Sequence, residues 1–154
     1  MKKMAVLLHN IRSAHNVGSI FRTCDAAGVE KIFLSGYTPI PVDRFGRAES
    51  AIQKVALGAE KTIKWEYHKN PYTIVASERA AGSQIVAIEQ DRGAVDYRTF
   101  RVKQPTLFIL GNEVRGVSKA MLKKCDTVLE IPMHGKKESL NVSVAAGIVL
   151  FALQ

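Results

Sequence analysis

Residues 107–116 read LFILGNEVRG, an apolar run that passes directly into a polar loop containing glycine. An apolar run without alternation is typical of a strand that is covered on both faces, as in a parallel sheet. The sequence therefore predicts a mostly parallel sheet with polar loops at the carboxyl ends of its strands. Five other short segments are predicted strands: Ala5–Leu8, Lys31–Leu34, Thr62–Trp65, Ile85–Ile88 and Val128–Ile131.

Helical patterns separate these strands. The first helix is predicted to begin at Asn16, a favourable N-cap residue, and to end at Gly28. Further helices are predicted at Ala48–Leu57, Pro71–Ala81, Val117–Lys124 and Leu140–Leu153. Because strands and helices alternate, we expect an α/β fold with helices on both faces of the sheet, in one domain spanning residues 1–154. The longest irregular segment, Gly36–Arg47, is the predicted mobile loop.

The composition narrows the classes of function. With 47% hydrophobic and 23% charged residues, the chain is an ordinary globular protein and not a disordered one. Its net charge of +8 favours nucleic acid as a partner. The longest apolar stretch, Val144–Leu153, is too short to span a membrane, and Met1–His9 does not resemble an export signal. Two cysteines without CxxC spacing favour a reduced, cytoplasmic location, and no metal site is expected.

The polar loops after the strands are the candidate binding site, because open parallel sheets bind ligands at the carboxyl edge. Three of these loops contain glycines and lie within residues 10–18, 111–116 and 132–141. The first loop lacks both the GxxxxGKS or GxxxxGKT pattern of a triphosphate loop and the GxGxxG pattern of a dinucleotide loop. We therefore expect another kind of ligand.

Three motifs resemble those of the SpoU/TrmH-type RNA ribose 2′-O-methyltransferases of the SPOUT superfamily, and the similarity runs from about Met4 to Leu153. They are Asn16-x-Gly18-x-x-x-Arg22, Leu110-Gly111-Asn112-Glu113-x-x-Gly116, and Ile131-Pro132-Met133-x-Gly135 followed by Ser139-Leu140-Asn141-Val142-Ser143. The resemblance implies methyl transfer from S-adenosyl-L-methionine to a ribose 2′-hydroxyl, with S-adenosyl-L-homocysteine as product. It also implies a trefoil-knotted C-terminal region and a homodimer.

The resemblance further implies roles for individual residues. The residues matching catalytic positions are Arg22, Asn16, Glu113, Ser139 and Asn141. Those matching cofactor-binding positions are Ile88, Gly111, Ile131, Met133, Ser139 and Leu140. RNA contact is expected at basic residues in or near the motif loops, because phosphate contacts dominate RNA affinity: Arg12, Arg44, Arg47 and Arg115.

Several alternatives stay open at this point. Arg22 either accepts the hydroxyl proton as a base or holds a substrate phosphate, since a guanidinium normally stays protonated. Glu113 could instead pair with Arg115 or Lys119, and Asn141 could simply cap a helix. Compact members of the family often act on transfer RNA, which favours that substrate over ribosomal RNA. The competing hypotheses are a non-catalytic RNA-binding module that kept the fold and a sensor of an adenosine ligand.

Overall fold

The computed structural model describes residues 3–154, and within them seven strands form a single parallel sheet. The strands are β1 (Met4–His9), β2 (Lys31–Ser35), β3 (Lys64–His68), β4 (Gln84–Ile88), β5 (Val95–Asp96), β6 (Thr106–Leu110) and β7 (Thr127–Glu130). Their order across the sheet is β3-β2-β1-β6-β4-β7-β5. Met1 and Lys2, which begin the predicted domain and the segment considered as an export signal, lie outside the described residues.

Helices cover both faces of this sheet, which confirms the predicted fold class. They are α1 (Ala14–Ala26), α2 (Ser50–Ala56), α3 (Ala59–Thr62), α4 (Pro71–Ala80), α5 (Lys119–Leu122) and α6 (Val142–Ala152). The first core joins α1, α2, α3 and α6 to one face, and the second joins α4 and α5 to the other. In β6, Phe108 and Leu110 enter the first core, while Leu107 and Ile109 enter the second. This double burial explains why the central strands read as unbroken apolar runs.

Local differences from the predicted elements have simple causes. β3 begins two residues later than expected, because residues 59–62 form the short helix α3. Asn16 is not the N-cap of α1; that position is Ser13, whose hydroxyl accepts from the Asn16 N–H at 3.1 Å. Asn141 does cap α6, which begins at Val142 and not at Leu140.

Gly18 of the first motif is required by the packing of two helices. A Cβ at this position would lie 2.8 Å from the carbonyl oxygen of Ile52, on α2. Real Cβ atoms essentially never approach backbone so closely, so only glycine lets α1 and α2 come together here. This part of the motif therefore serves the fold.

No helix within residues 3–154 is both long and apolar enough to cross a membrane. Neither cysteine forms a disulfide within the same residues, and Cys24 is buried in the first core. Burial raises the pKa of the Cys24 thiol, which keeps it protonated. The threading of a trefoil knot stays a prediction from the resemblance.

Candidate functional site

A cleft with a volume of about 160 Å³ opens at the carboxyl edge of the sheet, where β4, β6 and β7 end. Its walls come from residues 88–90 after β4, residues 110–116 after β6, and the segment that leads from β7 into α6. Since all strands are parallel, these loops meet at one edge although they are far apart in the chain. The placement is that of ligand sites in open α/β sheets.

The cleft combines an apolar side with a polar side. Its apolar lining includes Ile131, Leu140 and Val142, and its acidic lining residues are Glu89 and Glu113. Clefts of this kind bind a largely apolar ligand and orient it through a few polar groups.

Gly111 lines the cleft at a point where the chain folds tightly back on itself. A Cβ on Gly111 would lie 2.5 Å from the carbonyl oxygen of Gly116. The N–H of Gly116 donates to the carbonyl of Asn112 at 2.8 Å, which closes the turn. Gly116 itself has a φ of +67°, a conformation that disfavours other residues. The second motif is therefore a tight loop that forms one wall of the cleft.

Glu89 holds this loop from the neighbouring strand. Its carboxylate accepts from the N–H of Val117 at 2.8 Å and from its neighbour Gln90 at 2.8 Å. A Cβ on Gly116 would lie 2.1 Å from the same carboxylate. Glu89 therefore fixes the position of the loop after β6, a role that was not assigned to it from the sequence.

Glu113 ties the cleft to the start of α1. Its carboxylate accepts from the N–H of Arg12 at 2.8 Å and from the N–H of Ser13 at 3.1 Å. The alternative pairing with Arg115 or Lys119 is absent from the ion pairs among residues 3–154, because the carboxylate is engaged by backbone donors. Glu113 thus joins the second motif to the N-terminal end of α1.

Asn112 makes a second connection across the same edge. Its side-chain amide donates to the carbonyl of Asn10 and to the hydroxyl of Tyr37, both at 3.0 Å. Its side-chain oxygen accepts from the N–H groups of Val114 and Arg115 at 2.9 Å. Buried Asn112 therefore fixes the ends of β1, β2 and β6 relative to one another.

Asn16 and Asn141 join the first motif to the third. The Asn141 amide donates to the Asn16 side-chain oxygen at 3.1 Å. The Asn141 oxygen accepts from the N–H groups of Ser143 and Val144 and so caps α6. Both side chains thus hold α1 against the start of α6, beside the cleft.

Seven of the fourteen residues predicted for catalysis, cofactor binding or RNA contact line the cleft. The predicted residues that line it are Ile88, Gly111, Glu113, Arg115, Ile131, Ser139 and Leu140. The predicted cofactor residue Met133 does not line it, since residues 132–138 turn away between β7 and Ser139. The prediction missed Glu89 and Asn112. Their position directly after an apolar strand, at the edge where ligands bind, was the available signal.

Arg22 does not line the cleft of its own chain. It lies on the exposed side of α1, six residues beyond Asn16, or about 9 Å further along the helix axis. Its side chain makes no ion pair within residues 3–154. The guanidinium is therefore available to a group outside the chain.

Three of the predicted RNA-binding arginines do not line the cleft and lie in the segments that follow β1 and β2. Arg12 is exposed beside Glu113, at the start of α1. Arg44 and Arg47 are exposed in the long segment between β2 and α2. In the part of the chain that the structure describes, no three His, Cys, Asp or Glu side chains are placed to hold a metal ion.

The sequence profile of the SpoU rRNA Methylase family matches residues 3–151. The chain belongs to the SpoU methylase family. Among curated relatives, a tRNA (guanosine(18)-2'-O)-methyltransferase of Aquifex aeolicus is 34% identical over 99% of this chain and 69% of its own length. An Escherichia coli enzyme of the same name is 32% identical over 98% of this chain and 62% of its own length. This SpoU chain therefore spans about two thirds of these relatives.

A solved structure of the family resembles the whole chain. The AdoMet-bound rRNA methyltransferase from Sinorhizobium meliloti superposes with a TM-score of 0.86 and 34% identity. The match covers 97% of this chain and 55% of that one. The SpoU chain thus shares its fold with a protein whose structure contains AdoMet.

Proposed function

We propose that the cleft binds S-adenosyl-L-methionine and that the protein methylates a ribose 2′-hydroxyl of RNA. The observation that carries this proposal is the cleft at the carboxyl edge of the sheet, which is lined by the tight loop of residues 110–116, by apolar residues and by Glu89 and Glu113. An adenine ring suits the apolar side chains of Ile131 and Leu140. The positive charges of the donor suit the carboxylates of Glu89 and Glu113, since opposite charges attract strongly in a partly buried site.

The residues around the cleft have a limited chemical task. When bound, adenosylmethionine supplies a methyl group that is already activated on a sulfonium, so the proposal includes no metal. The protein must align the ribose oxygen and let its proton leave, and alignment alone can supply roughly 7–11 kcal/mol of a barrier. Glu113, Asn16 and Asn141 act as positioning residues through the contacts described above. Ser139 lies in the cleft, where its hydroxyl can contact donor or substrate.

Arg22 is proposed to act on a substrate held in the cleft of a second copy of the chain. Two observations support this: Arg22 does not line the cleft of its own chain, and α6 carries an exposed apolar stripe. In this stripe Val144 and Phe151 are 48% and 50% exposed. The stripe suits a homodimer interface. Sedimentation should give a dimer, and Val144→Glu with Phe151→Glu should give monomers that bind adenosylhomocysteine but transfer no methyl. A wild-type monomer with full activity would contradict this arrangement.

Transfer RNA is the favoured substrate, and ribosomal RNA is the second candidate. The two curated relatives described above are named tRNA methyltransferases, whereas the Sinorhizobium protein is named an rRNA methyltransferase. We also propose that the protein acts on this substrate in the cytoplasm. The single-domain organisation stays a prediction.

Transfer of labelled methyl from adenosylmethionine to purified tRNA and to ribosomal RNA tests the proposal. We expect label in tRNA, resistant to alkaline cleavage at one nucleotide because its 2′-hydroxyl is methylated. Glu113→Ala is the matched variant, expected to lose transfer because the start of α1 loses its anchor. Adenosylhomocysteine binding without transfer to either RNA would favour the non-catalytic module or the adenosine sensor.

A further inference from the structure

The segment between β2 and α2 contains a hydrogen-bonded turn. An antiparallel bridge joins Val42 to Ala48, and the N–H of Asp43 donates to the carbonyl of Arg47 at 2.9 Å. We call residues 43–47 the arginine tip. These bonds close the outer part of the segment into a defined loop, and the predicted mobility of Gly36–Arg47 stays a prediction.

The side chain of Asp43 organises the arginine tip. It accepts from the N–H groups of Phe45 and Arg47 at 2.9 Å and from Nε of Arg47 at 2.7 Å. Hydrogen bonds from the backbone and side chain of Arg47 hold the pKa of Asp43 below its ordinary value, so the carboxylate stays charged at neutral pH. Gly46, at a φ of +77°, provides the turn. The tip thus has its shape without support from either core.

Phe45 is displayed at the end of this turn between two cations. Its side chain is 66% exposed, and the guanidinium carbons of Arg44 and Arg47 lie 4.7 and 5.0 Å from the ring centroid. Cations at this distance are attracted to the ring face. Aromatic rings and guanidinium planes are the two protein surfaces on which unpaired nucleobases stack.

The two arginines differ in their freedom. Arg47 is held by its ion pair with Asp43, whereas no carboxylate within residues 3–154 pairs with Arg44. Arg44 can therefore leave the ring of Phe45 and turn to a phosphate, and the face that it vacates can receive a base. Asp43 keeps the ring and Arg47 in place during this exchange.

The segment that carries the arginine tip begins at the carboxyl edge of the sheet, where the cleft also opens. It follows β2, and the same segment is fixed to the cleft loop by the hydrogen bond between Tyr37 and Asn112. The tip and the cleft loop therefore extend from the same edge of the sheet, so that we expect one RNA to contact both.

We propose that the arginine tip is a stacking platform for an unpaired base of the RNA substrate, with Phe45 under the base and Arg44 on the adjoining phosphate. This inference rests on the proposed function for its substrate. It predicts a preference for RNA with an open loop or single strand near the methylated nucleotide, because the bases of a duplex are already stacked.

Steady-state methylation provides the first test. Loss of one base–aromatic stack predicts a rise of about 5- to 150-fold in KM for RNA in Phe45→Ala. Phe45→Leu should behave like Phe45→Ala, while Phe45→Trp should retain a KM close to that of wild type. The matched control is Tyr72→Ala, which removes an exposed ring at the start of α4 and should change nothing. Equal KM values for the Ala, Leu and wild-type proteins would overturn the proposal.

Fluorescence provides the second test and needs no catalysis. Single-stranded oligoribonucleotide should quench the tryptophan fluorescence of the Phe45→Trp variant. The wild-type protein, which has one tryptophan, gives the background signal. Equal quenching by duplex RNA or by polyglutamate, or none at all, would overturn the platform. Quenching in a protein that transfers no methyl to any RNA would refute the proposed function and leave the platform standing.

Discussion

Replacing Gly111 by alanine tests whether the tight loop after β6 forms the wall of a functional cleft. The new Cβ would meet the carbonyl oxygen of Gly116 at 2.5 Å, whereas ordinary contacts begin at 3.4 Å. The turn must therefore open by about 0.9 Å, which disturbs the bonds from Gly116 to Asn112 and from Val117 to Glu89. Such overpacking costs about 1–3 kcal/mol of unfolding free energy, or roughly 2–12 °C in Tm for a chain of this size.

The same displacement moves the backbone that faces the ligand. We expect calorimetry to show at least a roughly tenfold weaker binding of adenosylhomocysteine, which corresponds to about 1.4 kcal/mol. Gly93→Ala is the matched control, because its Cβ would have only an ordinary contact at 3.5 Å, with the Asp91 carboxylate. A Gly111→Ala protein with a lowered Tm but wild-type affinity would refute the assignment of this loop to the binding site.

Three further changes have defined outcomes. Arg22→Lys keeps the charge but loses the two-point guanidinium fork, so methyl transfer should fall steeply at unchanged adenosylhomocysteine affinity; near-wild-type activity would exclude the phosphate clamp. Asn141→Ala removes the cap of α6 and should lower the unfolding free energy by about 0.5–2 kcal/mol in urea titrations, with Asn141→Ser as partial rescue. Hydrogen bonds from Arg98 lower the pKa of Asp96 to about 2, so this pair stabilises the fold above about pH 4 and its contribution is lost as the pH falls towards 2. The Tm of the Asp96→Asn variant should therefore change less between pH 2 and 5 than the Tm of the wild-type protein. Equal pH dependence of the two Tm values would contradict this.

The central strands were predictable because burial on two faces leaves a strong local pattern. Residues 107–110 are apolar at every position since each contacts one of two cores. The edge strand β3 has no such requirement, and its exposed, mixed sequence was placed two residues too early. β5 is only two residues long and makes no pattern at all. The start of α1 was misjudged because both Ser13 and Asn16 are good caps, and the tertiary contact of Asn16 with Asn141 is invisible in the sequence.

The candidate site was predicted in its parts but not in its connections. Parallel strands bring their carboxyl ends together, which was enough to group the loops around Gly111 and Ile131. The hydrogen bonds that Glu89 and Glu113 make to backbone N–H groups of distant segments depend on how these loops fold, and no spacing in the chain encodes them. A charged residue after a strand has the same appearance whether it faces water or clamps a neighbouring loop.

The pairing of Asn16 with Asn141 bears on the order of events during synthesis. Translation delivers α1 well before α6, and β1 lacks one neighbour until β6 has emerged. A nascent polypeptide therefore displays basic loops long before it has a finished pocket. A product released before α6 is made would still carry the basic loops that attract nucleic acid, but it would lack the wall of the cleft that α6 supplies.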